Sequence, residues 1–217
     1  MREQQAYPRR QALSDVPASA RPLAGAMPSA LHHNSRMSVA PPGPVRPTPA
    51  FMLAHPAHCI ALGFGAGLSP LAPGTAGTLW AWLAFLVLQL WLSPLQLAWL
   101  VGLSIPLGWW ASSTTARHMG VSDPGSIVWD EVAAFWCVLL LVMPTGFWGQ
   151  LAAFALFRYF DAAKPGPVGW ADQLFHAVDT QRDPRGWSKI GLGIMLDDLV
   201  AAFCTLLVFA FWQSWQP

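Results

Sequence analysis

The sequence predicts an all-α protein, a compact helical bundle integral to a membrane, with about four to five hydrophobic helices. Hydrophobic residues make up 54% of the chain and charged residues 11%, whereas a soluble domain carries about 25% charged residues. Apolar runs cover residues 79–92, 95–110, 132–143, 147–157 and 192–212. Leu, Ala, Phe and Trp occur in these runs in blocks rather than in strict alternation, which favours helices over strands.

The length of the runs bears on how many of them cross the bilayer. Several are shorter than the about 20 residues that a membrane-spanning helix needs. The sequence therefore leaves the number of spans open, with half-buried or re-entrant helices as the alternative to full spans.

Two segments are predicted along the chain. Residues 1–50 are rich in Pro, Ala, Arg and Ser and have no sustained apolar periodicity, so we expect a disordered tail. They contain no apolar stretch of the kind found in a secretory signal peptide. Residues 51–217 are expected to form the membrane-embedded helical domain.

The basic residues predict the orientation of the domain. If the five runs cross from side to side, the N-terminal region, residues 117–129 and residues 158–191 lie on one side. These segments contain every Lys and Arg of the chain. The positive-inside rule therefore places this side in the cytoplasm.

The first candidate for chemistry is an adjacent pair of acids, Asp130 and Glu131, at the start of run 132–143. The helix dipole favours acids at this position, which alone would explain one of them. Two neighbouring acids that enter a membrane-facing run cost more than a helix cap requires. A divalent cation coordinated by both would offset that cost.

A second pair, Asp197 and Asp198, lies inside the last apolar run. Acids within a membrane segment are rare and mark functional sites by default. The sequence does not rank the two acids, and either is a candidate for the inner, working residue.

Arg158, Asp161 and Lys164 recur at a spacing of three and therefore share one helical face. A surface ladder of ion pairs is the plainer interpretation. Arg is also suited to bidentate phosphate recognition, and Lys adds a point charge.

A Gly-rich segment, residues 63–78, ends in Thr75 and Thr78 just before an apolar helix. Either hydroxyl could cap the helix or donate to a phosphate. The segment is not a Walker A loop, because no Gly-Lys-Ser/Thr follows it. A simple Gly/Pro connector is the alternative.

Taken together, these residues predict a hard-metal site with nearby cations. Oxygen ligands without a cluster of His and Cys favour Mg²⁺ or Mn²⁺ over zinc. A metal ion combined with Arg and Lys is the machinery of phosphoryl chemistry. Nothing predicts a nucleic-acid partner, and the sequence leaves the oligomeric state open.

The chain resembles the phosphatidylglycerophosphatase A family from about residue 62 to about residue 212. Four motifs carry the resemblance and follow in the family's order: Pro73-Gly74-Thr75-x-Gly77-Thr78, Asp123-Pro124 with Ile127-Val128-x-Asp130-Glu131, Phe157-Arg158-x-x-Asp161-x-x-Lys164-Pro165, and Gly193-Ile194-Met195-Leu196-Asp197-Asp198. The chain departs from the family at Val132-Ala133-Ala134, where a Gly often follows the acid pair. It also has Ala201 and Ala202 where Gly is common.

The resemblance implies a Mg²⁺-dependent enzyme that removes the terminal phosphate of phosphatidylglycerophosphate to give phosphatidylglycerol. It implies a phospholipid substrate. With the apolar runs and the positive-inside orientation, we expect a location in a bacterial inner membrane, with the active site facing the cytoplasm. The residues that the resemblance assigns to metal binding or catalysis are Asp130, Glu131, Asp161, Asp197 and Asp198. Those that it assigns to phosphate binding are Thr75, Thr78, Arg158 and Lys164.

Other phosphatase mechanisms, and one other functional class, can be tested against the same residues. A cysteine phosphatase needs Arg six positions after the nucleophile, and none of the three cysteines has one. Attack by metal-activated water is preferred to an aspartyl-phosphate intermediate, which stays open. A membrane cation transporter or channel that uses the acid pairs is the alternative from another functional class.

Overall fold

The computed structural model describes residues 45–175 and 177–215, and the statements below refer to that part of the chain. It contains helices and no strand, which confirms the all-α prediction. The α-helices are α1 (Pro49–Leu53), α2 (Pro56–Ala61), α3 (Pro73–Leu88), α4 (Pro94–Met119), α5 (Trp129–Val142), α6 (Phe147–Ala163), α7 (Pro167–Gln173) and α8 (Gly186–Ser214), and Gly63–Leu68 forms a 3₁₀ segment.

The five apolar runs correspond to α3, α4, α5, α6 and α8. Helix α4 shows how the sequence fixes the ends of such a helix. The Ser93 hydroxyl accepts a hydrogen bond from the Gln96 N–H, and the Gln96 side chain accepts one from the Ser93 N–H. At the other end Gly120 adopts φ +69°, the left-handed conformation that terminates a helix.

Helix α5 is the centre of the bundle and packs against α3, α4, α6 and α8. Its side chains are buried almost all round, including Val132, Phe135, Val138 and Leu139, which are 0% exposed. Burial of each such side chain stabilises the fold by about 1.5–3 kcal/mol. The buried indole of Trp136 donates to the Ala81 carbonyl over 2.8 Å, so this polar group is satisfied.

The short N-terminal helices are tied to the part of the chain that leads into α5. The Val128 N–H donates to the Ala61 carbonyl over 2.9 Å, just before α5 begins. The imidazole nitrogens His58 Nε2 and His118 Nδ1 lie 2.8 Å apart and connect α2 with the end of α4. Helix α2 therefore helps to place the start of α5.

The predicted tail lies largely outside the described residues, since the structure describes the chain from residue 45 onward. Helix α1 begins at Pro49, within the last positions of the predicted tail. The Thr48 hydroxyl accepts from the Phe51 N–H over 3.1 Å and caps this helix.

Among the described residues, one helix, α8, is long and apolar enough to cross a membrane. It has 29 residues, and its most apolar window has a mean hydropathy of 2.1 and is 33% buried. The four to five spans expected from the sequence are not confirmed by this finding and stay a prediction. Large apolar side chains are exposed on several helices, among them Leu83, Trp99, Leu103, Trp148 and Phe211, and surfaces of this kind mark membrane or protein contacts.

The close approach of α4 to α5 and α8 generates a stability prediction. A Cβ atom on Gly108 would lie 2.4 Å from Trp129 Cδ1 and 2.9 Å from Met195 Sδ. We expect Gly108→Ala to destabilise the fold by about 1–3 kcal/mol, because the core must shift to admit the methyl group.

Gly102 of the same helix provides the matched control, since a Cβ there meets nothing within 4 Å. Gly102→Ala should raise stability by up to about 1 kcal/mol, because Ala is the better helix former. Thermal unfolding of both variants in detergent measures the difference. Equal midpoints for the two variants would contradict the packing described for α4.

Candidate active site

Three carboxylates meet at one end of the bundle. Asp130 and Glu131 lie in the first turn of α5, and Asp198 lies in α8 where the two helices pack together. One carboxylate oxygen from each of them lies within 4.8 Å of the other two. Asp198 is 3% exposed and Glu131 is 9% exposed, so water provides little screening for these charges.

The other two predicted acids lie beside this group. Asp161, from the last turns of α6, is close enough to Asp198 for a side-chain hydrogen bond. Asp197 lies one residue before Asp198 in α8, and its Oδ1 atom is buried. The structure therefore brings all five predicted acids to the same end of the bundle.

The electrostatics of the group oppose full ionisation. Burial raises the pKa of Asp130 well above its usual range, and the negative charges of Glu131 and Asp198 raise it further. Burial also raises the pKa of Glu131 to about 7, although a hydrogen bond with Asp130 and the charge of Arg158 lower it. Within the described chain, Asp130 Oδ1 and Glu131 Oε2 are buried without a hydrogen-bond partner, at a cost of about 1–3 kcal/mol for each such atom.

Arg158 approaches the acids from α6. Its Nη1 donates to Asp161 Oδ2 and lies 3.8 Å from Glu131 Oε1. The same nitrogen lies 3.4 Å from the hydroxyl of Thr78, which itself donates to the Gly74 carbonyl over 2.9 Å. The Arg158 guanidinium has five N–H donors, so it retains donors for a further ligand.

The start of α3 reaches this group at Gly74. A Cβ atom there would lie 2.2 Å from Glu131 Oε1 and 3.2 Å from Arg158 Nη1, so an added side chain must displace one of these two groups. Thr75 follows in the same turn and is half-buried. Among the described residues the Thr75 hydroxyl makes no hydrogen bond. The contact of Thr75 with phosphate stays a prediction.

Lys164 caps the end of α6 in the left-handed conformation, with φ 45° and ψ 49°. Its Nζ donates to Asp172 and, over 2.6 Å, to Asp197 Oδ2. Burial lowers the pKa of Lys164, but these hydrogen bonds outweigh that effect and raise it overall. Lys164 therefore stays cationic and bridges α7 and α8, and its expected contact with phosphate stays a prediction.

Asp172 was not among the residues predicted from the sequence. It lies at the second-last position of α7, close to the negative end of the helix dipole, where an acid is unfavourable. An acid in this position requires a cationic partner, but the seven residues of α7 are too few for the sequence to predict the helix and therefore this position. Lys164 is that partner in the structure.

A cleft of about 210 Å³ opens beside the carboxylates. Asp130 and Asp197 line it, together with Ser122, Asp123 and Asp172. It gives a small ligand access to two of the predicted acids.

Known proteins with similar sequences indicate the function of this group of acids and cations. The family model of phosphatidylglycerophosphatase A matches residues 59–213. The chain belongs to the phosphatidylglycerophosphatase A family. It is 40% identical to phosphatidylglycerophosphatase A of Escherichia coli over 155 residues, which cover 69% of this chain and 78% of that protein. Family membership makes the chain a phosphoric monoester hydrolase.

The alignments with two further relatives cover most of the length of each relative. Phosphatidylglycerophosphatase A of Haemophilus influenzae is 36% identical over 78% of this chain and 96% of that protein. A protein of Bacteroides thetaiotaomicron named "Putative phosphatidylinositol-3-phosphatase" is 34% identical over 70% of this chain and 89% of its own length. No solved structure matches the chain.

The contact at Gly74 generates a prediction for activity. In Gly74→Ala the new methyl group would displace the Glu131 carboxylate or the Arg158 guanidinium. Displacement by about 1 Å at a catalytic site costs up to about 10²-fold in rate. We therefore expect the rate of phosphate release to fall by about 10- to 100-fold, while thermal stability changes little.

Gly146→Ala is the matched control, because a Cβ at Gly146 meets nothing within 4 Å and its φ of −71° suits any residue. This variant should keep the wild-type rate. A Gly74→Ala enzyme as active as the control would show that Gly74 does not position the acids.

Proposed function

We propose that the chain is a Mg²⁺-dependent lipid phosphatase that hydrolyses phosphatidylglycerophosphate to phosphatidylglycerol and phosphate. The relatives from Escherichia coli and Haemophilus influenzae carry that activity in their names. The observation that carries the proposal is the group of Asp130, Glu131 and Asp198, with carboxylate oxygens within 4.8 Å of one another in a largely buried site.

The residues of this group fit a divalent cation. Their carboxylate oxygens are the hard ligands that Mg²⁺ and Mn²⁺ prefer. Asp130 Oδ1 and Glu131 Oε2 are buried without hydrogen-bond partners among the described residues, and a cation would satisfy both. A bound Mg²⁺ would supply Lewis-acid polarisation of the phosphate and a more acidic water molecule.

The remaining charged side chains have roles in binding and orientation. Asp161 holds the Arg158 guanidinium beside Glu131, where its free N–H groups can donate to phosphate oxygens. Asp197 and Asp172 hold Lys164, whose cation offsets negative charge at the same end of the bundle. The proposed reaction is attack by water at phosphorus, which breaks the phosphorus–oxygen bond and releases the lipid as an alcohol.

The proposed location is the inner membrane, with the active site on the cytoplasmic side. Helix α8 is long and apolar enough to cross a bilayer. Beyond Arg46, the basic residues of the described chain lie in the last turn of α4, at the end of α6 and from residue 182 to residue 189, which is the end that carries the site. The positive-inside rule assigns this end to the cytoplasm.

A cation transporter was the alternative from another class. Acids that line a transport path lie near the middle of the bilayer. Asp130, Glu131 and Asp161 instead lie near helix ends, and Arg158 and Lys164 pair with acids of the site. Membership of a phosphatase family supports the enzyme instead.

Phosphate release from short-chain phosphatidylglycerophosphate by the purified enzyme tests the proposal. We expect turnover with Mg²⁺ or Mn²⁺ and none after chelation with EDTA. Phosphatidylinositol 3-phosphate should be included as a substrate, because one relative is named for it. Absence of phosphate release from phosphatidylglycerophosphate under every divalent condition would refute the proposal.

Two substitutions test the carboxylates individually. Asp130→Asn and Asp198→Asn keep the size of the side chain and remove its charge, so we expect activity to fall by about 10²-fold or more. Asp179→Asn is the matched control, because Asp179 is an exposed acid paired with Arg182 away from the site. The fluorescence size-exclusion profile should be the same for all three proteins, and full activity of both site variants would disprove the assignment.

A further inference from the structure

The cleft beside the carboxylates contains polar groups that the cation does not need. The proposed cation ligands are Asp130, Glu131 and Asp198. The cleft is lined in addition by Ser122, Asp123 and Asp172. Of these three residues Asp172 is bonded to Lys164, whereas Ser122 and Asp123 lie outside both that ion pair and the proposed cation site.

The charge of the cleft indicates which part of the substrate fits there. Asp123, Asp130, Asp172 and Asp197 are all on its wall, and Lys164 offsets part of their charge. Such a surface repels a second anionic group. It favours a neutral group that donates hydrogen bonds, because a hydroxyl that donates to a carboxylate makes a short, charge-assisted bond.

The size and the remaining lining suit a short polyol. A volume of about 210 Å³ exceeds the about 30 Å³ share of one water molecule several times. Phe175 and Ile194 add apolar surface to the wall, against which carbon atoms can pack.

The cleft also adjoins the reacting group. Asp130 belongs both to the cleft and to the carboxylate group, and Asp197 lines the cleft one residue before Asp198. A ligand that enters the cleft therefore lies next to the phosphate that the site is proposed to hydrolyse.

Asp123 is the lining acid best placed to recognise the ligand. Asp172 is committed to Lys164 by a hydrogen bond. Asp123 is exposed, and among the described residues its carboxylate forms no ion pair and caps no helix. Its position in the Asp123-Pro124 motif is otherwise unexplained by the proposed cation site.

We propose that this cleft binds the glycerol of the lipid headgroup and that Asp123 determines specificity by accepting a hydrogen bond from the glycerol hydroxyl. The inference rests on the proposed function, since the ligand is the alcohol portion of the same substrate. It adds a recognition site for the headgroup that the cation and Arg158 do not provide.

The test compares two short-chain substrates that differ by one oxygen. One is phosphatidylglycerophosphate, and the other is its analogue with a propane-1,3-diol headgroup, which lacks the free hydroxyl. The wild-type enzyme should prefer the first by about 10-fold or more in kcat/KM, as expected for one hydrogen bond to a charged group. In Asp123→Ala this ratio should fall towards one, and Asp179→Ala should keep the wild-type ratio.

The outcomes separate the two proposals. Release of phosphate from neither substrate by the wild-type enzyme would overturn the proposed function and the headgroup site together. Equal kcat/KM for both substrates in the wild-type enzyme, or an unchanged ratio in Asp123→Ala, would overturn the headgroup site alone. An unchanged ratio with a higher Mg²⁺ requirement in Asp123→Ala would instead assign the cleft to a cation.

Discussion

Repulsion among carboxylates at the start of α5 is the constraint on which the site depends. Asp130, Glu131 and Asp198 lie within a few ångströms of one another in a largely buried position. The N-terminal dipole of α5 and the cations of Arg158 and Lys164 offset part of their charge. Two buried carboxylate oxygens of the trio nevertheless remain unpartnered within the described chain. Uptake of protons, which the raised pKa values of Asp130 and Glu131 favour, or of a cation would relieve the remaining repulsion.

That constraint also explains the tight packing around the site. The acids can act together only if α3, α5, α6 and α8 approach closely at one end. Gly74 lets the start of α3 come against Glu131, and Gly108 lets α4 come against α5. Since closely packed protein interiors tolerate little change in volume, the packing of the helices determines the geometry of the carboxylates.

The long helices and the main residues of the candidate site could be predicted from the sequence. The apolar runs identified the five long helices, and the distribution of Lys and Arg placed the four motifs at one end. The short helices α1, α2 and α7 were not predicted, because segments of five to seven residues carry too little periodicity. Lys164 reaches its partners because its backbone is left-handed and because α7 lies beside it. The spacing of residues along a helix predicts neither of these features.

The number of membrane spans shows a different limit. Helix α5 is apolar enough to suggest a span, yet the structure buries it among four other helices. Hydropathy measures the preference of a side chain for an apolar environment and does not distinguish lipid from a protein core. Only the packing of neighbouring helices separates the two, and that information is not local in sequence.

The position of Asp198 in the last described helix has a consequence for biosynthesis. The chain leaves the ribosome from its N-terminus, so Asp130, Glu131 and Asp161 are synthesised before α8. The carboxylate group is completed only when α8 docks against α5. A chain that stops before α8 therefore has two of the three carboxylates and lacks the third.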